Sequence, residues 1–201
     1  TELRCPSIGR GTLSPGASPR VLKMPVSDIS FEFYPPRTDE QKLVLESTWQ
    51  KLARLNPQYL SVTFGAGGST LDATRETVKA LLRDTGVPVA PHLSCMVRSR
   101  ETLRALLDDY RQAGVTRLMV LRGDRPDGVS GPGPFQYANE LVEFIRREFA
   151  DQFHIAVASY PEFHPESPSA EADLGFFRRK VAAGADSSVT QYFYNADAYY
   201  Y

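Results

Sequence analysis

From Asp28 onward one unit recurs along the chain: a short apolar segment, a polar loop, then apolar residues at helical spacing. Residues 29–34, 59–64, 87–95, 117–121, 154–160 and 187–194 are rich in β-branched, aliphatic and aromatic side chains and read as strands. Helices fall between them. Thr38-Asp39-Glu40-Gln41 is a capping-box sequence followed by Leu45, Trp49 and Leu52. Leu71, Thr74, Val78 and Leu81 precede Gly86, and Leu103, Leu106, Leu107 and Tyr110 lie between a capping Ser99 and Gly114. Residues 135–149 carry Leu141, Val142, Ile145 and Phe149, and a last helix with Leu174, Phe177 and Val181 starts at Ser169 and closes at Gly184. The repeat of about 30 residues is the size of a βα unit.

Two architectures accept such a repeat, an open doubly wound sheet and a (β/α)₈ barrel. An open sheet that binds nucleotide carries a Gly-rich fingerprint after its first strand. Here Pro35-Pro36-Arg37 stands in that place. Polar residues cluster instead at the C-terminal ends of the strands: Glu32, Thr63, His92, Asp124, Tyr160 with Glu162, and Gln191. In barrels that end is the catalytic face, so the α/β class with a TIM-barrel architecture is favoured. A full barrel takes about 250 residues and eight strands. About six βα units fit into 201 residues, and the chain is expected to be the N-terminal part of a longer barrel spanning residues 28–201.

Residues 1–27 are Gly-, Pro-, Ser- and Arg-rich without periodicity and lack the apolar stretch of a secretory signal, so a disordered leader or expression remnant is expected there. The formal net charge of −1 gives no footprint for nucleic acid or an anionic membrane surface, and no apolar run approaches the roughly 20 residues of a membrane span. Cys5 and Cys95 form neither a disulfide framework nor a metal knuckle, which fits a reducing cytoplasm. The three histidines, His92, His154 and His164, show no metal spacing, and no metal is expected.

The most pointed single residue is Glu32. On the first strand Phe31 and Phe33 share one face, while Ser30, Glu32 and Tyr34 share the other. A carboxylate on an interior strand is costly unless paired or neutralised, which makes Glu32 a candidate acid with a raised pKa. Other tips carry alternatives. Gly65-Ala66-Gly67-Gly68-Ser69-Thr70 could hold an anion at a helix start, but lacks the lysine of a P-loop, and a tight βα turn also accounts for it. Leu121-Arg122-Gly123-Asp124 places a guanidinium and a carboxylate at a tip, serving either function or a surface ion pair. His92 can be a rim or core histidine, and a buried Gln191 amide must find a structural or a ligand partner. No Ser-His-Asp or Cys-His arrangement is readable. Together the tips describe one polar mouth on an apolar barrel, a small-molecule enzyme site.

The segments Ser30-Phe31-Glu32-Phe33-Tyr34-Pro35-Pro36-Arg37, Ser61-Val62-Thr63-Phe64-Gly65-Ala66, Ala90-Pro91-His92-Leu93, Leu121-Arg122-Gly123-Asp124, Tyr160-Pro161-Glu162-Phe163-His164-Pro165-Glu166 and Thr190-Gln191-Tyr192-Phe193, in this order, resemble those of the methylenetetrahydrofolate reductases of bacterial type. The resemblance implies a cytoplasmic flavoprotein oxidoreductase of one-carbon metabolism and methionine biosynthesis. It would reduce 5,10-methylenetetrahydrofolate to 5-methyltetrahydrofolate with electrons from NADH or NADPH, ping-pong through FAD, in a (β/α)₈ barrel. It implies Glu32 as the general acid, and Asp124, Gln191 and Thr63 as substrate contacts. It places FAD against Thr63, Phe64, Ala66, His92, Arg122, Gly123, Asp124, Tyr137, Ala138, Tyr160, His164, Asp173, Arg179 and Lys180. A small-molecule folate substrate, a homo-oligomer, and no nucleic-acid or membrane partner complete the expectation. Phe64 stands where relatives often carry tyrosine, and the family's last barrel units are absent. The alternative is therefore a truncated, non-catalytic barrel fragment without bound flavin. A flavin-free barrel lyase or aldolase is disfavoured, because no strand tip carries an obvious Schiff-base lysine.

Overall fold

The computed structural model describes residues 29–64, 71–96, 99–123 and 133–200. The leader expected over residues 1–27, the turn expected over residues 65–70 with Ala66, and Asp124 lie outside these described residues. Strands and helices alternate: β1 (Ser30–Phe33), α1 (Asp39–Ala53), β2 (Tyr59–Val62), α2 (Leu71–Thr85), β3 (Val89–Ser94), α3 (Arg100–Gln112), β4 (Arg117–Leu121), α4 (Ala138–Phe149), β5 (His154–Ser159), α5 (Ala170–Ala182), β6 (Ser187–Thr190) and α6 (Ala196–Tyr200). The six strands of the described residues are all parallel, in the order β1-β2-β3-β4-β5-β6. Unbroken sequential order in a parallel sheet is the path of a barrel wall, whereas a doubly wound sheet reverses direction at a switch point. The molecule is a curled half-barrel, the part of a (β/α)₈ barrel that six units build.

The two faces of this wall differ as the alternation of side chains requires. Leu60, Val62, Val89, Leu93, Leu118, Val120, Ile155 and Val157 face the helices and are buried. Against them pack Trp49, Val78, Leu81, Leu103, Leu107, Tyr110, Leu141, Val142 and Ile145 from α1 to α4. On the concave face Arg117, Met119 and Leu121 of β4 are half-buried, and all four residues of β6 are only half-buried.

Local chemistry sets the helix starts. Thr38 Oγ1 accepts from the Gln41 amide at 3.2 Å, and Gln41 Oε1 accepts from the Arg37 amide at 2.8 Å, a capping box displaced by one residue. Ser99 and Ser169 cap α3 and α5 through bonds to Thr102 and Ala172, each 3.1 Å. Helix α4 starts at Ala138, three residues after the expected 135: Phe135 is buried against Phe144 (ring centroids 5.3 Å), and Tyr137, the residue before the helix, has extended backbone.

Strand ends are also shorter than the apolar runs suggest. β6 stops at Thr190, so Gln191, Tyr192 and Tyr194 lie beyond it and are exposed. In α5 the spacing that marks Leu174, Phe177 and Val181 as one apolar set is only partly used. Phe177 packs on the core, while Leu174 and Val181 are about half-exposed. The cause is position: β6 is an edge strand, and among the described residues α5 has a packed helical neighbour, α4, on one flank.

Candidate active site at the C-terminal mouth

Three features of the parallel register bring Glu32 and His92 together. Glu32 pairs with Ser61, Ser61 pairs with Ala90, and His92 lies two residues further along β3 on the same face. The imidazole Nε2 of His92 stands 3.3 Å from Glu32 Oε2. His92 is buried, whereas the Glu32 side chain is 49% exposed. Both line a cavity of about 110 Å³ on the concave face, together with Tyr59, Ser61, Arg117 and Met119. Arg117 lies over the Tyr59 ring at 4.8 Å.

This geometry corrects one expectation. A raised Glu32 pKa presumed an interior strand and a dry carboxyl. β1 is instead an edge strand, which leaves the side chain half in solvent. The hydrogen bond from His92 then outweighs partial desolvation, and the Glu32 carboxyl is held below its ordinary value.

A second cluster joins the tips of β4 and β5. Arg122 Nη1 meets Glu166 Oε2 at 2.7 Å, and the Glu166 amide donates to His164 Nδ1 at 3.0 Å. The His164 ring stands edge-on to Tyr160 at 4.8 Å between centroids. Lys180 Nζ lies 5.8 Å from the Tyr160 centroid and donates to the Ala158 carbonyl. Burial holds the Lys180 ammonium below the usual lysine range, opposed by the Asp173 carboxylate. Asp173 is buried and accepts from Ser167 Oγ at 2.8 Å. Glu162 Oε1 accepts the Asn195 amide at 3.0 Å, tying the β5 tip to the segment after β6.

Gly123 has a local structural reason to be glycine. Its φ of +76° is in the left-handed region, and a Cβ there would fall 2.1 Å from Ser94 Oγ. Ser94 Oγ itself donates to the Arg122 carbonyl at 3.2 Å and accepts from the Met96 amide at 3.1 Å.

The remaining expected residues are placed as follows. The Thr63 amide donates to the Phe33 carbonyl at 3.0 Å and its carbonyl accepts from Thr74 Oγ1 at 3.0 Å, with Phe64 half-buried beside it. Tyr137 is exposed at the start of α4, with Ala138 buried behind it. Arg179 packs over the Phe176 ring at 4.7 Å on its own helix. Gln191 was expected as a buried amide. It is exposed because the strand ends one residue before it, and its backbone amide donates to the Ser159 carbonyl at 2.7 Å. Sequence reading missed Glu166 as the partner of Arg122 and His92 as the partner of Glu32. The second was recoverable in principle, since both residues belong to inward-facing sets on neighbouring parallel strands but one. Among the described residues no group of His, Cys, Asp and Glu could hold a metal ion, and no helix is long and apolar enough to cross a membrane.

Known proteins bear on this mouth in two ways. The half-barrel is similar to 2,3-dimethylmalate lyase, a member of the PEP mutase/isocitrate lyase superfamily, with a TM-score of 0.59 at 13% identity, over 86% of this chain and 60% of that one. It is similar to oxaloacetate acetylhydrolase with a TM-score of 0.59 at 14% identity, over 89% and 63%. At such identity the likeness is one of fold alone. The sequence matches carry more. The 5,10-methylenetetrahydrofolate reductase of Salmonella typhimurium is 44% identical over 172 residues, and that of Escherichia coli 43%; each match takes in 86% of this chain and 57% of the relative. Methylenetetrahydrofolate reductase (NADH) 1 of Arabidopsis thaliana is 37% identical over 183 residues, 85% of this chain and 31% of the relative. The chain thus spans a little over half the length of its bacterial relatives. The family model described as methylenetetrahydrofolate reductase matches residues 20–201, and the chain belongs to that family.

Proposed function

We propose that this chain forms the acid-bearing part of a reductase that converts 5,10-methylenetetrahydrofolate to 5-methyltetrahydrofolate. The observation that carries the reading is Glu32 at the concave mouth with His92 Nε2 at 3.3 Å, in a chain 44% identical to a reductase of that name. Opening the five-membered ring of the substrate requires a proton at the aniline nitrogen. Glu32 is half in solvent and half in the cavity, so it can reach a substrate entering the mouth while touching a buried imidazole behind it.

The β4–β5 edge suits a flavin dinucleotide. Lys180 and Arg122, the latter paired with Glu166 at 2.7 Å, bring cationic side chains to one rim, suited to an anionic pyrophosphate, and Tyr160 offers a ring beside Lys180. Lys180 is partly desolvated, which an anion would compensate. Arg122, Tyr160, His164, Asp173 and Lys180 would hold the group. When bound it supplies hydride chemistry, taking electrons from NADH or NADPH and giving them to the exocyclic carbon of the opened folate in a ping-pong sequence. The protein's own work is to bind the pterin at the mouth, with Thr63 and Gln191 lining the shared pocket, and to deliver the proton from Glu32.

The experiment compares two half-reactions by flavin absorbance under anaerobic conditions. Glu32→Gln is expected to leave reduction by nicotinamide within about twofold and to slow oxidation by methylenetetrahydrofolate about 10²- to 10⁴-fold, the usual worth of a positioned acid. Equal loss in both half-reactions refutes the assignment. The half-buried concave face favours one other reading, a barrel segment that does not retain flavin alone. A colourless preparation supports that reading, and a yellow one rejects it.

A further inference from the structure

Resting on the reductase reading, we propose that the proton for ring opening is stored by the Glu32–His92 pair as a unit, with His92 a positioning residue that returns it to Glu32. The geometry carries this. Nε2 and Oε2 are 3.3 Å apart, His92 is buried behind the carboxyl, and Glu32 is the member of the pair that reaches the open mouth. A carboxylate contacting an imidazole at this distance can share one proton in two forms, carboxylic acid with neutral imidazole or carboxylate with imidazolium. The other ionisable side chains lining the cavity are Tyr59 from β2 and Arg117 from β4, and these stack on each other at 4.8 Å. The ring of helices packs on the opposite face of the sheet.

The pair resolves a conflict that Glu32 alone cannot. An acid acting near neutral pH must hold a proton there, yet contact with His92 lowers the Glu32 pKa. A pair that shares one proton across the 3.3 Å contact can hold it in either form. The step balances as follows. The proton moves from His92 Nε2 to Glu32 Oε2, the Oε2–H bond breaks as the folate nitrogen takes the proton, and the pair goes from neutral to a net charge of −1. Solvent at the exposed Glu32 then restores the proton.

Two measurements test this. In the protein with ¹³C-labelled glutamate, the Glu32 carboxyl signal, assigned by its absence in Glu32→Gln, is followed against pH. In the flavin-loaded enzyme the pH dependence of the folate half-reaction is recorded beside that of the nicotinamide half-reaction. In wild type the Glu32 signal should respond in two steps, and the alkaline limit of the folate half-reaction should match the second. In His92→Gln the carboxyl titration should move up and the alkaline limit should move down by more than one pH unit, until the two coincide. At pH 7.5 the folate half-reaction should fall at least tenfold. His92→Asn serves if the glutamine variant does not fold. A one-step Glu32 titration in wild type, or an alkaline limit that does not move on substitution, overturns the shared proton. Loss of folate selectivity in Glu32→Gln would instead sink the reductase reading, while the wild-type carboxyl titration still decides whether the pair is coupled.

Discussion

Arg146 is the side chain whose removal should be felt most widely outside the mouth. Its side chain is 16% exposed. Nε donates to the Gly184 carbonyl at 2.9 Å, Nη1 to those of Ala150 and Phe153 at 3.0 and 2.9 Å, and Nη2 to Asp186 Oδ2 at 2.5 Å. One guanidinium thus ties the end of α4, the start of β5 and the turn before β6. Asp186 Oδ2 also accepts the Ile155 amide at 2.6 Å, so the network reaches into the β5 ladder. Arg146→Met keeps most of the stem and deletes the fork. A hydrogen bond to a charged group is worth about 1.5–3 kcal/mol. The bonds at Ala150 and Asp186 face solvent and their partners rehydrate. Those at Phe153 and Gly184 do not rehydrate freely, which leaves a net cost of about 3 kcal/mol. At about 2–4 °C per kcal/mol for a domain of this size, the midpoint should fall by about 6–12 °C. Urea unfolding followed by the fluorescence of Trp49, which is 2% exposed, reads this directly. Arg146→Lys keeps the charge but cannot fork, so it should recover less than half the loss. A methionine variant within about 0.5 kcal/mol of wild type, the range of ordinary surface substitutions, would refute the reasoning.

Two further outcomes are expected. Asp109 is held at a pKa of about 2 by Arg75 (2.6 Å) and then Lys79 (2.6 Å). Because the folded value is depressed, its contribution is present above the unfolded carboxyl range and is lost as pH falls through the folded one; Asp109→Asn should cost about 1 kcal/mol at pH 7, the worth of a partly exposed network, and progressively less as pH falls toward and below the folded value in chemical denaturation series. Gly123→Ala should destabilise by about 2 kcal/mol, combining left-handed backbone strain with the displaced Ser94 hydroxyl. Adding Ser94→Ala should relieve only part of this in thermal melts, since Ser94 Cβ still stands at 3.0 Å.

Much of the architecture was legible because the period of the apolar pattern is a direct record of which face is buried. Leu118 and Val120 alternate with half-buried neighbours along β4, and Leu103, Leu106, Leu107 and Tyr110 mark the inward stripe of α3. Those positions answer to local geometry. Gln191, Leu174 and Val181 answer to something else, the presence of a neighbour across an edge, and periodicity carries no information about edges. The same limit explains the Glu32 correction. Alternation along β1 correctly sends Glu32 to the face opposite Phe33, but its protonation depends on how much water reaches it and what stands beside it. Both are properties of strand order and register.

That dependence has a consequence for the chemistry of the mouth. Burial raises the Glu32 pKa and the imidazole lowers it, and in the present half-barrel the second wins. Further wall beside β1 would desolvate the carboxyl and the imidazole contact together. Burial disfavours the charged form of each group, so the two ionised partners lose more than the neutral acid–base form does. Covering the edge would therefore shift a proton shared by the pair from Nε2 toward Oε2, where a substrate at the mouth would take it, without moving either side chain. The same two residues would hold their proton in reserve while the mouth is wet and present it once the mouth is dry. A substrate docked at the mouth against Glu32 would dry the same carboxyl, so binding itself would promote the acidic form of the pair.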